Sequence, residues 1–241
     1  MKISVVVPAF NEEGGLRDTL RSIRMAARSF DALGWPWQLI VCDNNSTDRT
    51  AEVATAEGAV VVFEPVNQIS RARNAGAARA SGDWLVFVDA DSRPSPGLFR
   101  DVATEIRRER CLAGGSTIRL DADGASLRAA EAVWNTISRL TRWAAGSFVF
   151  CEAAAFRELG GFSTALYAAE EIDLFRRLKR LARTSKRTIV ILDRHPLVTS
   201  ARKARLYTPR EALTFGVRTM LHGGRTLRSA EECFQWYDGR R

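Results

Sequence analysis

Two aspartates one residue apart, Asp89 and Asp91, close a short apolar run at 84–88. At the end of a strand, carboxylates with this spacing can share one hard cation, Mg2+ or Mn2+. These ions take oxygen ligands and need few protein carboxylates besides diphosphate oxygens. A cation there would neutralise a departing diphosphate. On its own the pair would read as a turn; the apolar strand before it and the helical stretch after it make it a candidate site. Two further polar clusters follow apolar runs in the same way: Asn11-Glu12 after residues 3–8, and Asp43-Asn44 after residues 37–42. A fourth acidic group, Glu170-Glu171-Ile172-Asp173, opens a helical stretch, where acids also complement the helix dipole.

To serve one site, these clusters need a frame that brings them to a common rim. Residues 3–8 read as a buried strand that stops at Pro8. A helix is expected to open at Asn11, capped by it, with Leu16, Leu20, Ile23 and Ala27 at helical spacing. Strands at 37–42, 59–63 and 84–88 then alternate with helices at 50–57, 70–80 and 96–110. Such alternation predicts an α/β fold: a mainly parallel sheet flanked by helices, with ligands beyond the carboxyl ends of the strands. All three polar clusters fall at that edge.

Beyond residue 111 the pattern is mixed. It predicts strands at 112–120 and 147–150, a long amphipathic helix at 125–143, a short helix at 153–159 ending at Gly160-Gly161, and a helix at 170–181. A strand at 188–192 follows, then a further one ending at 198–200, and one or two basic helices from Pro209. There is no internal repeat and no clear linker.

Composition narrows the function classes. The chain has 241 residues, 46% of them apolar, which fits a folded domain rather than disorder. No apolar run approaches the ~18 residues of a membrane span, and no cleavage signal follows the N-terminal Met-Lys. The four cysteines are scattered without a CxxC, which argues against a metal cluster or disulfide framework and fits a reducing, cytoplasmic setting. Net charge is +8, but residues 1–110 carry −1 and the remainder +9. Within 175–228 only Asp193 and Glu211 oppose 15 basic residues. A basic half suggests phosphates or an anionic membrane surface nearby. The helix at 174–183, with Leu174, Leu178 and Leu181 on one face and Arg or Lys elsewhere, is the segment expected to make any peripheral contact at the inner face of the membrane. Its other reading is a core-facing helix with a wet basic side.

Taken together, Pro8-Ala-Phe-Asn-Glu-Glu, Asp43-Asn-Asn-Ser-Thr-Asp, Ala72-Arg-Asn-Ala-Gly and Phe87-Val-Asp-Ala-Asp resemble the family 2 glycosyltransferases in order and spacing. The likeness continues less tightly through Gly160-Gly-Phe and Glu170-Glu-Ile-Asp-Leu to Thr199-Ser-Ala-Arg-Lys, about residues 1–205. It implies a GT-A fold in a single domain over 1–205, a Rossmann-like nucleotide-sugar-binding half at 1–110, an acceptor and catalytic half at 111–205, and a helical appendage at 206–241. It implies a metal-dependent transfer of a sugar from a nucleotide-diphosphate sugar to a hydroxyl of an unidentified saccharide, lipid or small molecule, with inversion at the anomeric carbon. In the family, positions matching Pro8, Ala9 and Glu12 line the nucleotide pocket, and the one matching Asp43 binds the base. Those matching Arg73 and Asn74 lie near the phosphates and sugar. The match of Asp89 contacts the nucleotide sugar, and that of Asp91 ligates Mg2+ or Mn2+ with Asp89 beside it. The family commonly carries Glu-Asp where this chain has Glu170-Glu171. Glu171 therefore stands in the place of the general base, with Asp173 as second choice. Arg202 and Lys203 are candidates to hold diphosphate when a C-terminal loop closes, and His195 and His222 are the two histidines that could add a metal ligand.

Other classes fit less well. A nucleotidyltransferase, the alternative reading, would show a Gly-rich loop with Arg and Lys after the first strand, where this chain has Pro8-Ala-Phe-Asn-Glu-Glu. A dinucleotide-dependent dehydrogenase would need GxGxxG there. A nucleic-acid binder would interleave aromatics with its basic residues, yet 176–206 contains no Phe, Trp or Tyr. The sequence leaves the donor base, the sugar, the acceptor and the oligomeric state open.

Overall fold

The run Ile-Ser-Val-Val-Val-Pro-Ala holds one small polar residue, so it can be covered on both faces, and β1 (Ile3–Ala9) is buried along its whole length. The computed structural model describes residues 1–202, 225–229 and 231–233. In chain order, β1 is followed by α1 (Leu16–Asp31), β2 (Trp37–Asp43), α2 (Thr50–Ala56), β3 (Val60–Phe63), α3 (Ile69–Arg79) and β4 (Trp84–Val88). Next come β5 (Ser92–Arg93), α4 (Pro96–Arg107), β6 (Cys111–Leu120), α5 (Ala125–Thr141), β7 (Phe148–Glu152), α6 (Ala153–Glu158), α7 (Glu170–Thr184) and β8 (Thr188–Thr199). The strands form one mixed sheet in the order β3-β2-β1-β4-β7-β6-β8-β5. β3, β2, β1 and β4 are mutually parallel, while β7 runs antiparallel between β4 and β6. The chain leaves β1 toward β2 and later returns to β4 on its other side, a topological switch point that opens a crevice at the carboxyl ends.

Alternation along the strands divides the core in two. Ile3, Val5 and Val7 face α1 and α4 with Leu16, Leu20, Ile23, Phe30 and Phe99. Val6, Ile40 and Phe87 face the other layer with Phe156, Phe162, Leu174 and Leu178. On that second face α3 lies very close to β1. A Cβ on Gly76 would sit 2.5 Å from Val6 Cγ1, so the glycine permits the approach.

Several expectations change, and one pair of readings is decided. β1 runs through Pro8 to Ala9, and the first helix begins at Leu16 rather than at Asn11. Asn11 is not a helix cap: it adopts φ 50° and accepts a hydrogen bond from Thr47 N at 2.7 Å, closing a loop-to-loop contact. The two strands expected at 188–192 and 198–200 are one, β8, which pairs with β6 and takes the two-residue β5 on its other edge. The apolar face of α7 is filled, with Leu174, Phe175, Leu178 and Ala182 buried, so the core-facing reading of that helix holds and its leucines are not available to a membrane.

Helix α5 is amphipathic, but in the opposite sense to the usual one. β7 pairs with β6 only over Ala113–Gly115, so the backbone of β6 beyond that point faces an open edge. Helix α5 covers it with polar groups. Asn135 Oδ1 accepts from Ile118 N and Asn135 Nδ2 donates to Ile118 O, both at 2.9 Å, and the Glu131 carboxylate accepts from Leu120 N at 2.6 Å.

Among the described residues no helix is long and apolar enough to cross a membrane. The four cysteines are free and buried, as expected for Cys42. Removal from water pushes the thiols of Cys42 and Cys111 up to about 12. The predicted helices from Pro209, together with Lys203 and His222, lie outside the described residues. The piece at 225–228 makes a 3-10 turn in which Leu227 O accepts from Tyr167 N at 2.7 Å.

Candidate active site

The first three polar clusters meet because their strands are neighbours in register. Ala9 ends β1 opposite Asp43, the end of β2, and Asn44 N donates to Ala9 O at 2.8 Å. Asn11 N donates to Ser46 Oγ at 2.9 Å and Glu12 N to Thr50 Oγ1 at 2.8 Å, which ties the first loop to the second. Asp43 is almost fully buried, and its Oδ1 accepts from Ser46 N at 3.1 Å. Asn44 organises the wall beside it. Its amide donates to Glu64 O and Val66 O, and its oxygen accepts from Gln68 N. Gln68 in turn reaches across to Thr164 O and Leu166 O, both at 2.9 Å.

At the centre lies Arg73, 1% exposed. Its Nη1 donates to Glu170 Oε1 at 2.5 Å, and its Nη2 donates to both Asp89 Oδ1 and Gly146 O at 2.8 Å. The guanidinium also stands over the Phe162 ring, 5.2 Å from its centroid. Burial works against its charge, yet the carboxylates of Asp89, Glu170 and Glu171 more than offset that, and its pKa lies above the ordinary arginine value. Arg73 Nε is buried and has no hydrogen-bond partner. The close seat of α3 on β1, allowed by Gly76, is what carries this side chain beneath the rim.

The acids at the start of α7 separate by helical geometry. Successive residues lie 100° apart, so Glu171 and Asp173 point in roughly opposite directions. Glu170 is buried on Arg73. Glu171 lies beside the same arginine: a Cβ on Gly146 would be 3.3 Å from Arg73 Nη2 and 3.4 Å from Glu171 Cδ, so Gly146 leaves room for both. Removal from water, reinforced by Glu170 and opposed by Arg73, pushes the Glu171 carboxyl up to about 8. Asp173 pairs with Arg177 at 2.7 Å and lines a separate groove with Trp143, Ile172 and Arg176.

Asp89 keeps Oδ1 on Arg73, and its backbone N donates to Ser147 O at 3.1 Å. Ser92, three residues after it, pairs in β5 with Thr199 of β8. That short strand was not expected, and it draws the chain after β8 over the site: Ser200 N donates to Asp91 O at 3.2 Å. Arg202 then grips Glu12 through both Nη atoms, at 3.1 and 2.5 Å, with its Nη2 3.8 Å from Asp91 Oδ2. Its hydrogen bonds to Glu12 come first among the causes that raise its pKa.

The structure therefore gathers Ala9, Glu12, Asp43, Arg73, Asp89, Asp91 and Glu171 along one rim. Asn74 is committed elsewhere, donating to Phe162 O at 2.8 Å and accepting from Phe162 N at 2.9 Å, so it shapes the 160–162 turn. His195 lies on β8 against Gly97 with its Nδ1 2.9 Å from Asp101 Oδ2, a packing role away from the aspartates. The sequence alone did not reveal Glu170 as the partner of Arg73, Gly146 as the carbonyl and open space beside it, or the Glu12–Arg202 pair. The run of two adjacent glutamates was the available signal for the first.

For a divalent cation the donor chemistry fits. Asp89 and Asp91 offer carboxylate oxygens and are 24% and 21% exposed. Among the described residues no third metal-binding side chain joins them, so a bound ion would complete its shell from substrate oxygens or water.

A profile described as Glycosyl transferase family 2 matches residues 4–158. An uncharacterized glycosyltransferase of Mycobacterium tuberculosis is 34% identical over 113 residues, 47% of each chain. The undecaprenyl-phosphate 4-deoxy-4-formamido-L-arabinose transferase of Pseudomonas paraeruginosa is 35% identical over 101 residues, 39% of this chain and 29% of that one. The chain thus spans about half the length, or less, of these curated relatives. Among solved structures, glucosyl-3-phosphoglycerate synthase from Mycobacterium tuberculosis, in complex with Mn2+, UDP-glucose and phosphoglyceric acid, superposes with a TM-score of 0.60 at 25% identity, covering 91% of this chain and 77% of that one. The S. aureus protein TarS, residues 1–349, superposes with a TM-score of 0.64 at 17% identity over 100% of this chain and 73% of that one. These neighbours share the GT-A fold that the motifs implied.

Proposed function

The chain belongs to glycosyl transferase family 2, and from that premise we propose that it moves a sugar from a nucleotide-diphosphate sugar to an acceptor hydroxyl, with Glu171 as general base. One observation carries this reading: a single buried arginine joins the first aspartate of the pair to the acids that open α7, so a proton acceptor stands beside the donor-side carboxylate. The raised proton affinity of Glu171 suits a base working near neutral pH.

Asp43, with one carboxylate oxygen fixed by Ser46, accepts from a base N–H of the donor. Pro8, Ala9 and Glu12 form the adjoining wall. Arg73 holds Asp89 in place toward the sugar. Asp91, with Asp89, would hold Mg2+ or Mn2+, which when bound would offset the charge of the diphosphate. The acceptor oxygen bonds to the anomeric carbon as the bond from that carbon to the diphosphate oxygen breaks, and the acceptor proton passes to Glu171. One displacement of this kind inverts the anomeric centre. Arg202, now held by Glu12, can be drawn to the diphosphate as the 199–202 segment closes.

The first test is a thermal-shift series with UDP, GDP, dTDP and CDP, each with Mn2+ or Mg2+. UDP leads because the two neighbours were solved with it or its sugars. One nucleotide with metal should raise the melting temperature through mass action. Asp91→Ala should remove the metal-dependent part. If no nucleotide diphosphate shifts the transition under any of these conditions, the proposal fails.

A further inference from the structure

The outer face of α5 is an apolar surface that the candidate site does not use. Val133, Ile137 and Leu140 are 60%, 40% and 81% exposed, and they fall at the 3–4 residue spacing of one helical stripe, with Ala129 and Ala130 one turn earlier. The helix does not turn this stripe to solvent for lack of a core. Its inner face is claimed by Glu131 and Asn135, which satisfy the open backbone of β6, and by Ser138, which donates to Trp143 O at 2.6 Å. Glu131, the single acid of α5, is thereby taken inward. The outward stripe carries no acid.

Cations surround the far end of the stripe. Arg142 follows Leu140 and is exposed, and from α7 the Arg176 guanidinium and the Lys179 ammonium stand over Trp143, 5.5 and 5.4 Å from the ring centroid. Arg183 lies one turn further along α7. Among the described residues no carboxylate pairs with Arg142, Arg176 or Arg183. Loss of hydration, then the nearness of Arg142, Arg183 and Arg176, lowers the Lys179 pKa, which marks these groups as a crowded patch of like charge. An apolar stripe with large side chains, a basic rim and rings at its border matches an interfacial helix.

We propose that α5 docks the protein on an anionic lipid bilayer, with Val133, Ile137 and Leu140 entering the headgroup boundary and Arg142, Arg176 and Arg183 meeting lipid phosphates. Charge decides between this occupant and the others. A second copy seated by two-fold symmetry would bring the same unpaired cations together. The segment 203–224 would add Lys203, Arg205, Arg210 and Arg218 against Glu211 alone. An anionic surface answers both the stripe and its rim; the segment 234–241, with Phe234, Trp236, Tyr237 and Asp238, is the other candidate, and a lowered melting temperature in the Val133→Glu, Leu140→Glu variant would point to it and overturn the proposal. Five residues beyond the end of α5 at Thr141, Gly146 O accepts from Arg73, so docking would bring the rim of the candidate site toward the bilayer. The inference does not rest on the reaction proposed above.

The test is co-sedimentation of the full chain with phosphatidylglycerol-containing vesicles and with phosphatidylcholine vesicles, at low and high salt. Wild type should pellet with the anionic vesicles and lose part of that binding in high salt. The double variant Val133→Glu, Leu140→Glu should keep its melting temperature, because both side chains are exposed, and bind at least about tenfold more weakly. Arg142→Glu with Arg176→Glu should lose the preference for anionic lipid. Three further results would each overturn the proposal: no pelleting at low salt, undiminished binding by the Val133/Leu140 variant, or a concentration-dependent dimer of wild type that this variant abolishes.

Discussion

Helices α5 and α7 are neighbours with the same kind of sequence, an apolar stripe set among arginines, and they dock in opposite senses. Helix α7 buries Leu174, Phe175 and Leu178 against the sheet and leaves its cations wet. Helix α5 buries Glu131 and Ser138 and leaves Val133 and Leu140 wet. The difference lies in what each helix covers. Helix α7 lies over a finished strand face that offers Phe87 and Val149, with Phe162 added from the turn beside it. Helix α5 lies along a strand edge whose N–H and C=O groups need partners, and an unpaired buried backbone group costs about as much as an apolar contact gains. Periodicity shows that a helix has two faces; the backbone accounting of its neighbours decides which one turns inward.

The sharpest way to test the α7 side is at its N-terminus. Glu171→Gln removes the proposed base without changing its volume, so the transfer rate should fall about 10²- to 10⁴-fold while the nucleotide-induced thermal shift persists. Asp173→Asn should leave the rate within about threefold, since Asp173 faces Arg177 and a different groove. A raised carboxyl holds its proton to higher pH. The wild-type rate at saturating donor should therefore climb as pH rises through about 8, and this limb should vanish in the glutamine variant. A flat wild-type profile over that range, or an active Glu171→Gln enzyme, would remove Glu171 from the mechanism.

Next in size is Arg73→Ala. It leaves Asp89 and Glu170 facing each other with no cation between them, and truncating one member of a buried ionic group costs ~3–5 kcal/mol. Arg73→Lys should recover only part, because one ammonium cannot fork to Glu170, Asp89 and Gly146 O at once. Denaturant unfolding of the three proteins gives the order directly.

The parts legible in the sequence were those that local chemistry fixes. Four apolar runs that become strands ending at Ala9, Asp43, Phe63 and Val88 specify a parallel arrangement whose ends share an edge, and Asp89 and Asp91 fall there. The parts that were not legible depend on contacts far along the chain. Asn11 has the residue type of a helix cap, but Thr47, 36 positions away, takes its side chain. Ser92-Arg93 is too short to show periodicity, and it becomes β5 only because Thr199 lies beside it. The same holds for Arg202, whose partner Glu12 is 190 residues distant. Glu170 looked like a dipole-complementing acid, and only the placement of Arg73 by Gly76 gives it a buried counter-charge.

Matched truncations on the two helices separate their packing. Leu178 is fully buried, so Leu178→Ala should cost ~2–5 kcal/mol and lower the melting temperature. Asn135→Ala should cost ~1–3 kcal/mol, by leaving Ile118 N and O without partners. Leu140→Ala, a chemically identical change to the first on a helix of similar length, should stay within about 0.5 kcal/mol, because water already covers that side chain. The ranking matters more than the values. If Leu140→Ala proved as costly as Leu178→Ala, the outer stripe of α5 would be packed against something in the free protein, and the inverted docking of this helix would lose its meaning. If Asn135→Ala were silent, the polar inner face would not be what holds α5 on β6, and the exposed stripe would need another cause.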